Sequence, residues 1–153
     1  MKIAIGCDEL AYTLKETIKT FLAEQEDVQI ELIKDCGVAE NESVDYPDIA
    51  ERVAKAIMSG ECERGILICG TGIGMAIAAN KFPGIRAAQV FDPYSAERAR
   101  KSNDAQIMTL GALTQGPATA KYLVGIWLKC EFAGGGSTRK VEKINAIDDM
   151  YRK

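Results

Sequence analysis

Cys69 ends an apolar run and opens a glycine-rich turn: Gly65-Ile66-Leu67-Ile68-Cys69-Gly70-Thr71-Gly72-Ile73-Gly74. The segment that follows, Met75-Ala76-Ile77-Ala78-Ala79-Asn80-Lys81, reads as a helix. A thiolate at a helix N-terminus is favoured by the dipole and by free N–H groups. The same N–H groups suit a substrate oxygen that gains charge during reaction. There is no histidine in the chain. Any proton transfer must therefore use Cys, Asp, Glu, Tyr, Lys or water. The glycines match neither a P-loop nor a full dinucleotide fingerprint. Taken alone, the segment also fits a tight turn around a buried, inert cysteine.

The elements that must position this turn alternate along the chain. Residues 2–6 read as a strand, and Tyr12 to Glu24 carries Leu14, Ile18, Phe21 and Leu22 at helical spacing. Val28 to Ile33 reads as a second strand ending near Asp35-Cys36-Gly37. A helix follows over about 48–58, with Pro47 near its first turn. Strand three is 65–69 and its helix about 72–81; strand four is Ile85 to Val90. A short helix spans Pro93 to Lys101, strand five Ala105 to Leu110, and a long helix about 116–130. Gly134-Gly135-Gly136 breaks the chain before a last helix over about 138–151. This rhythm implies a five-stranded parallel sheet covered by helices on both faces. Ligands in such folds bind outside the carboxyl ends of the strands. Asp8 and Glu9 follow the first strand there, Asp8 either facing the crevice or serving as a solvated loop carboxylate or helix cap.

The 153 residues fit one domain with a real core, 47% apolar and 27% charged. A net charge of −3 without a dense basic run argues against nucleic acid. No apolar stretch approaches a membrane span, and no signal peptide is expected. The five cysteines are Cys7, Cys36, Cys62, Cys69 and Cys130. An odd, scattered set without a CxxC pair suggests neither a disulfide framework nor zinc. Reduced thiols in a cytoplasmic protein are the simplest account.

Several segments agree in order and spacing: Gly6-Cys7-Asp8, Glu42 to Asp48, Gly65 to Gly74, Ala78 to Ala87, Pro93-Tyr94-Ser95-Ala96, Asn103-Asp104-Ala105 and Glu131 to Gly135. Together they resemble the type B ribose-5-phosphate isomerase and galactose-6-phosphate isomerase family, over nearly the whole chain. The resemblance implies a three-layer, Rossmann-like single domain over 1–153, working as an aldose–ketose isomerase without metal or other cofactor. A base at the Cys69 position would move a proton between C1 and C2 of an open-chain sugar through a cis-enediolate. The Gly70, Gly72 and Gly74 backbone is similar to the family's anion hole, with Thr71 assisting. Asp8 matches the residue that handles hydroxyl protons. Tyr46 lies in a motif beside the sugar, and Asn103 matches a hydroxyl contact made from the second subunit. A homodimer or tetramer with shared sites is implied, with the last helix at the interface.

The chain departs from that pattern in the family's cationic positions. Glu9 and Ser102 stand where the family commonly has histidines, the second of which opens the sugar ring. Gly136 and Leu113 stand where arginines are usual, and Lys140 replaces a third. Arg139, one residue away, either substitutes or is an exposed helix residue. A guanidinium fork grips phosphate bidentately, lysine offers a point charge, and leucine offers nothing. These changes point to a small, modified or non-phosphorylated sugar rather than ordinary ribose 5-phosphate. Two alternatives stand beside this reading. One is an ordinary sugar-phosphate isomerase binding through Lys140, Arg139 and backbone groups. The other is a non-catalytic partner subunit, because the galactose-6-phosphate branch is built from two unlike chains.

Overall fold

The computed structural model of the chain describes residues 1–152. Five strands form one parallel sheet: β1 Lys2–Cys7, β2 Leu32–Asp35, β3 Arg64–Cys69, β4 Ala87–Gln89 and β5 Ile107–Gly111. Their order is β2-β1-β3-β5-β4. The helices are α1 Tyr12–Ala23, α2 Tyr46–Met58, α3 Ile73–Ala79, α4 Pro93–Lys101, α5 Pro117–Lys129 and α6 Thr138–Tyr151. Short 3-10 turns, Glu9–Ala11 and Gly135–Ser137, precede α1 and α6.

Strands β1 and β3 are continuous apolar runs rather than alternating ones because both of their faces are covered. α2 packs over β1 and β3 beside α3, while α1, α5 and α4 adjoin one another on the other side. Ile3, Ile5, Ile66, Leu67, Ile68, Met75, Ile107 and Trp127 are fully buried between the layers. The layered parallel fold expected from the sequence is the one observed.

The boundaries differ in instructive ways. The second strand was expected over Val28 to Ile33 but runs Leu32–Asp35. Its ladder begins only where β1 supplies a partner, with Lys2 opposite Leu32. Val28 and Ile30 instead pack against the core as non-strand chain. The fourth strand is three residues long and pairs on one side only, with β5. Helix α3 stops at Ala79, earlier than expected, because the Asn80 amide bonds Ala76 O and both backbone groups of Ala87. That side chain replaces another helical turn with a tie to β4.

One buried charge locks the end of β2. Lys15 of α1 is 2% exposed. Its ammonium donates to both carboxylate oxygens of Asp35, at 3.1 and 2.9 Å, and to Val38 O at 2.7 Å. Lys19 reaches the same carboxylate at 2.7 Å. Burial alone would raise the Asp35 pKa, but hydrogen bonds from Lys19 and Lys15 outweigh it and hold the carboxyl below its usual range. A depressed acid stabilises the fold above its unfolded pKa, and that contribution disappears as pH falls through the lower folded value. Asp35→Asn leaves Lys15 with Val38 O and the Glu16 carboxylate at 3.3 Å, and is expected to cost about 1–3 kcal/mol at neutral pH. Thermal melts across the acid range check this: the gap to wild type should close as pH drops below about 4.

Candidate active site

The turn after β3 is fixed by the strand beside it. Past the end of β3 the pairing with β5 continues: Ala112 N–H donates to Cys69 O at 2.8 Å and Leu113 N–H to Gly70 O at 3.0 Å. The chain then reverses through Gly72, whose φ is +80°. A Cβ on Gly72 would lie 3.0 Å from both the carbonyl carbon and the oxygen of Leu110. Glycine is required here both by the left-handed conformation and by this close backbone approach. The reversal brings the Gly72 N–H back to Cys69 Sγ at 3.1 Å. The Ile73 N–H meets Thr71 Oγ1 at 3.2 Å. Cys69 itself is 5% exposed. Helix α3 starts at once, and a helix start leaves its first amides without carbonyl partners.

Asp8 ends the neighbouring strand β1 at the same edge. It is 8% exposed and caps nothing, and among the described residues its Oδ1 has no hydrogen-bond partner. Burial pushes its carboxyl above the usual range, and the adjacent Glu9 charge pushes the same way. Glu9 is exposed and lines a hollow of about 450 Å³ with Tyr12, Thr13, Glu40, Glu42 and Ser43. That hollow beside Asp8 is acidic. Tyr46 begins α2 and lies over the start of α3, where a Cβ on Gly74 would come within 2.7 Å of its ring. Leu10 and Leu113, both well exposed, converge on Gly70. The more apolar hollow between α1 and α5, lined by Phe21, Tyr122, Gly125 and Ile126, lies on a helical face away from these strand ends. It gathers no acid–base pair.

This carboxyl-edge cluster sits on a fold shared with characterised sugar isomerases. A family described as ribose/galactose isomerase matches residues 3–144. The chain belongs to this family. It is 58% identical over 152 residues to the ribose-5-P isomerase B of Listeria innocua, covering 99% of this chain and 100% of that protein. It is 52% identical to the D-erythrulose-4-phosphate isomerase of Pectobacterium atrosepticum, covering 99% of this chain and 98% of that protein. The structure of Clostridium thermocellum ribose-5-phosphate isomerase B matches with a TM-score of 0.93 at 48% identity, covering 99% of this chain and 100% of that one. The protein is therefore an aldose–ketose isomerase with the fold of the type B enzymes.

Within the chain the isomerase fold brings together only part of the residues flagged in the sequence. Cys69, Gly70, Thr71, Gly72, Gly74, Asp8, Glu9, Tyr46 and Leu113 gather at the carboxyl edge of the sheet. Ser102 and Asn103 follow α4, which leaves that edge after β4 and returns to the amino edge before β5. Arg139 and Lys140, both exposed, open α6 beyond the glycines, and Ala133 N–H bonds Lys101 O near the same end of α4. A nine-residue helix separates the two edges by roughly 14 Å.

Three side chains that brace the turn escaped the sequence reading. Gln89 Nε2 donates to Thr71 O at 2.9 Å, and Thr109 Oγ1 to Gly72 O at 2.8 Å. Gln115 bridges Gly111 N–H and Val90 O across β5 and the end of β4. The available signal was a polar residue inside short strand-like runs, at Gln89 and Thr109. Gly72→Ala should strain the reversal and cost roughly 2 kcal/mol, with activity falling more steeply than stability. Denaturant melts paired with isomerase assays on the folded fraction check that order; a fully active, unchanged variant would contradict it.

Proposed function

We propose that the protein interconverts an aldose and its ketose through a cis-enediolate, with Cys69 as the base and a four-carbon sugar phosphate as the preferred substrate. The observation that carries the substrate reading is the chain's lack of any histidine. A pentose 5-phosphate rests mostly as a furanose and must be opened before its carbonyl can be enolised. A tetrose phosphorylated on its terminal oxygen has no free hydroxyl placed to close a furanose or pyranose ring. It reaches the site already open. The erythrulose-4-phosphate isomerase relative, at 52% identity, supports a substrate of this size.

The steps follow from the site. The proton alpha to a carbonyl is weakly acidic, so the charge that develops on oxygen needs preorganised donors. The turn from Gly70 to Gly74 offers them beside the sulfur, and Thr71 retains its own hydroxyl proton for donation. Cys69 takes the proton from one carbon and returns it to the next. Asp8, buried and without a hydrogen-bond partner on Oδ1, is placed to exchange protons with the substrate hydroxyls as the carbonyl moves. Tyr46 flanks the sugar. Asn103, Ser102, Arg139 and Lys140 serve a second protomer's turn, because their own lies at the opposite sheet edge. Exposed Ile144, Ile147 and Met150 on α6 form an apolar stripe suited to that association. Lys140 and Arg139 then hold the phosphate. The acidic hollow at Glu9 disfavours a dianion reaching that side.

Cys69→Ala should abolish exchange of the substrate C2 proton with solvent while the fold persists. A residual rate above about a tenth of wild type, against the roughly hundredfold loss expected of a general base, would assign the base elsewhere. On a panel of tetroses, pentoses and hexoses with and without phosphate, erythrose 4-phosphate should exceed ribose 5-phosphate in kcat/KM by about a hundredfold. A specificity constant for ribose 5-phosphate of about 10⁴ M⁻¹s⁻¹ or more would overturn the substrate assignment. The purified chain alone suffices for this assay, and inactivity on the whole panel would favour a partner subunit instead. Mixing Cys69→Ala with Asn103→Ala protomers should regenerate activity, since one shared site in the mixed dimer is intact.

Asp8→Asn carries a separate signature. A raised acid is neutral-favouring, so its stabilising contribution is full below the ordinary carboxylate range and is lost as pH rises through the folded value. The variant should therefore be at least as stable as wild type at pH 7, lose that advantage in acid, and be inactive. Paired melts at acid and neutral pH check the sign.

A further inference from the structure

Gln89 and Thr109 are register partners on adjacent strands, so their side chains stand side by side on one face of the sheet. They donate to two successive carbonyls of the turn, Thr71 O and Gly72 O. We propose that Gln89 is a positioning residue for Cys69, acting through the peptide unit between Thr71 and Gly72. The inference rests on the reading of Cys69 as the base.

The geometry of a trans peptide supplies the reason. Its C=O and N–H point in opposite directions. In the Thr71–Gly72 unit the carbonyl points to Gln89 Nε2 at 2.9 Å, and the N–H points to Cys69 Sγ at 3.1 Å. Holding one end aims the other. This unit is also the one most able to turn over, because it abuts Gly72. Glycine accepts backbone angles of either sign, so the residue that makes the reversal possible leaves its flanking peptide poorly fixed. Rotation of the unit would present the Thr71 carbonyl, with its negative end, to the sulfur. A thiolate gains from a nearby donor and loses from a nearby carbonyl oxygen.

The next unit is held differently. Gly72 O accepts from Thr109 Oγ1 at 2.8 Å and also from the Ala76 N–H of α3 at 3.1 Å. Its own N–H, on Ile73, meets Thr71 Oγ1. Helix and side chain together fix this unit, so it tolerates the loss of either donor. Among the described residues, the Thr71 carbonyl has only Gln89. Gln89 is exposed and on the edge strand, so changing it disturbs no core packing.

The test is Gln89→Met, which keeps the length and removes the donor. With erythrose 4-phosphate as substrate, kcat should fall about tenfold while KM stays within about twofold. The rate of Cys69 alkylation by iodoacetamide, followed by peptide mapping, should fall in parallel. A merely loosened turn would expose the thiol and raise that rate. An unchanged kcat with unchanged alkylation, or accelerated alkylation, overturns the inference. Thr109→Val should show the smaller effect on both readouts. Cys69→Ala run in parallel separates the two readings. If that variant stays active, the base assignment fails, yet the alkylation rate in Gln89→Met still decides whether Gln89 directs the Gly72 N–H at the sulfur.

Discussion

The reversal at Gly72 is the constraint from which the rest of the site follows. A left-handed residue seated 3.0 Å from the Leu110 backbone leaves no room for a side chain and allows no gap between turn and strand. That contact needs β5, not β4, beside β3, which is the order the sheet adopts. It also needs the chain after β5 to stay beside the turn past the paired ends Cys69 and Gly111, so that Ala112 and Leu113 can bond Cys69 and Gly70. Strand order, strand length and glycine placement are thus one requirement stated three times. What they jointly fix is a sulfur under a backbone N–H at the mouth of a crevice.

The parts of the fold written in local chemistry were legible from the sequence. The thiol, the glycines and the short helix after them form a contiguous string, and their physical meaning is local. So is the final helix, expected and found at 138–151, since glycines isolate it from the preceding chain. The second strand slid by several residues because its extent is set by β1, whose first pairing residue is Lys2. Apolar Val28 and Ile30 carry strand-like composition, but composition cannot show where the partner strand begins. The same blindness hid Gln89 and Thr109. Each is an ordinary polar strand residue until the register of β4 and β5 places them side by side. Asp8 was legible as a strand-end carboxylate; its unpartnered Oδ1 was not, since that depends on the 3-10 turn at Glu9–Ala11, which no periodicity announced.

Parallel topology divides the candidate residues between two sheet edges, and this has a functional consequence under the proposed reading. Each strand ends at the thiol's edge, and each helix returns the chain to the other. Residues at the ends of helices, such as Ser102 and Asn103, are carried away from the chemistry by the same geometry that brings Cys69 and Asp8 to it. A second protomer is the economical way to reunite them. The apolar stripe of Ile144, Ile147 and Met150 lies on the same helix as Arg139 and Lys140, so under that reading the surface proposed for association also carries the cations. Binding of substrate phosphate and pairing of protomers then become linked, each favouring the other.

Two strand-end carboxylates show how the fold separates stability from chemistry. Asp35 is surrounded by Lys15, Lys19 and the Gly37 N–H, so its charge is stabilised and contributes to folding. Asp8 lies one strand away and is 8% exposed, with the adjacent Glu9 charge pushing its pKa up and, among the described residues, nothing bonded to Oδ1. A fold optimised for stability alone would have neutralised or paired it. Local rules are broken where a group must stay available to something outside the chain. A carboxylate oxygen without an internal partner can accept from a substrate hydroxyl, and the desolvation that raises the carboxyl's pKa brings it nearer to the proton affinity such an exchange requires. Asp35, the same kind of residue at the end of the neighbouring strand, is held by two lysines and contributes to folding instead.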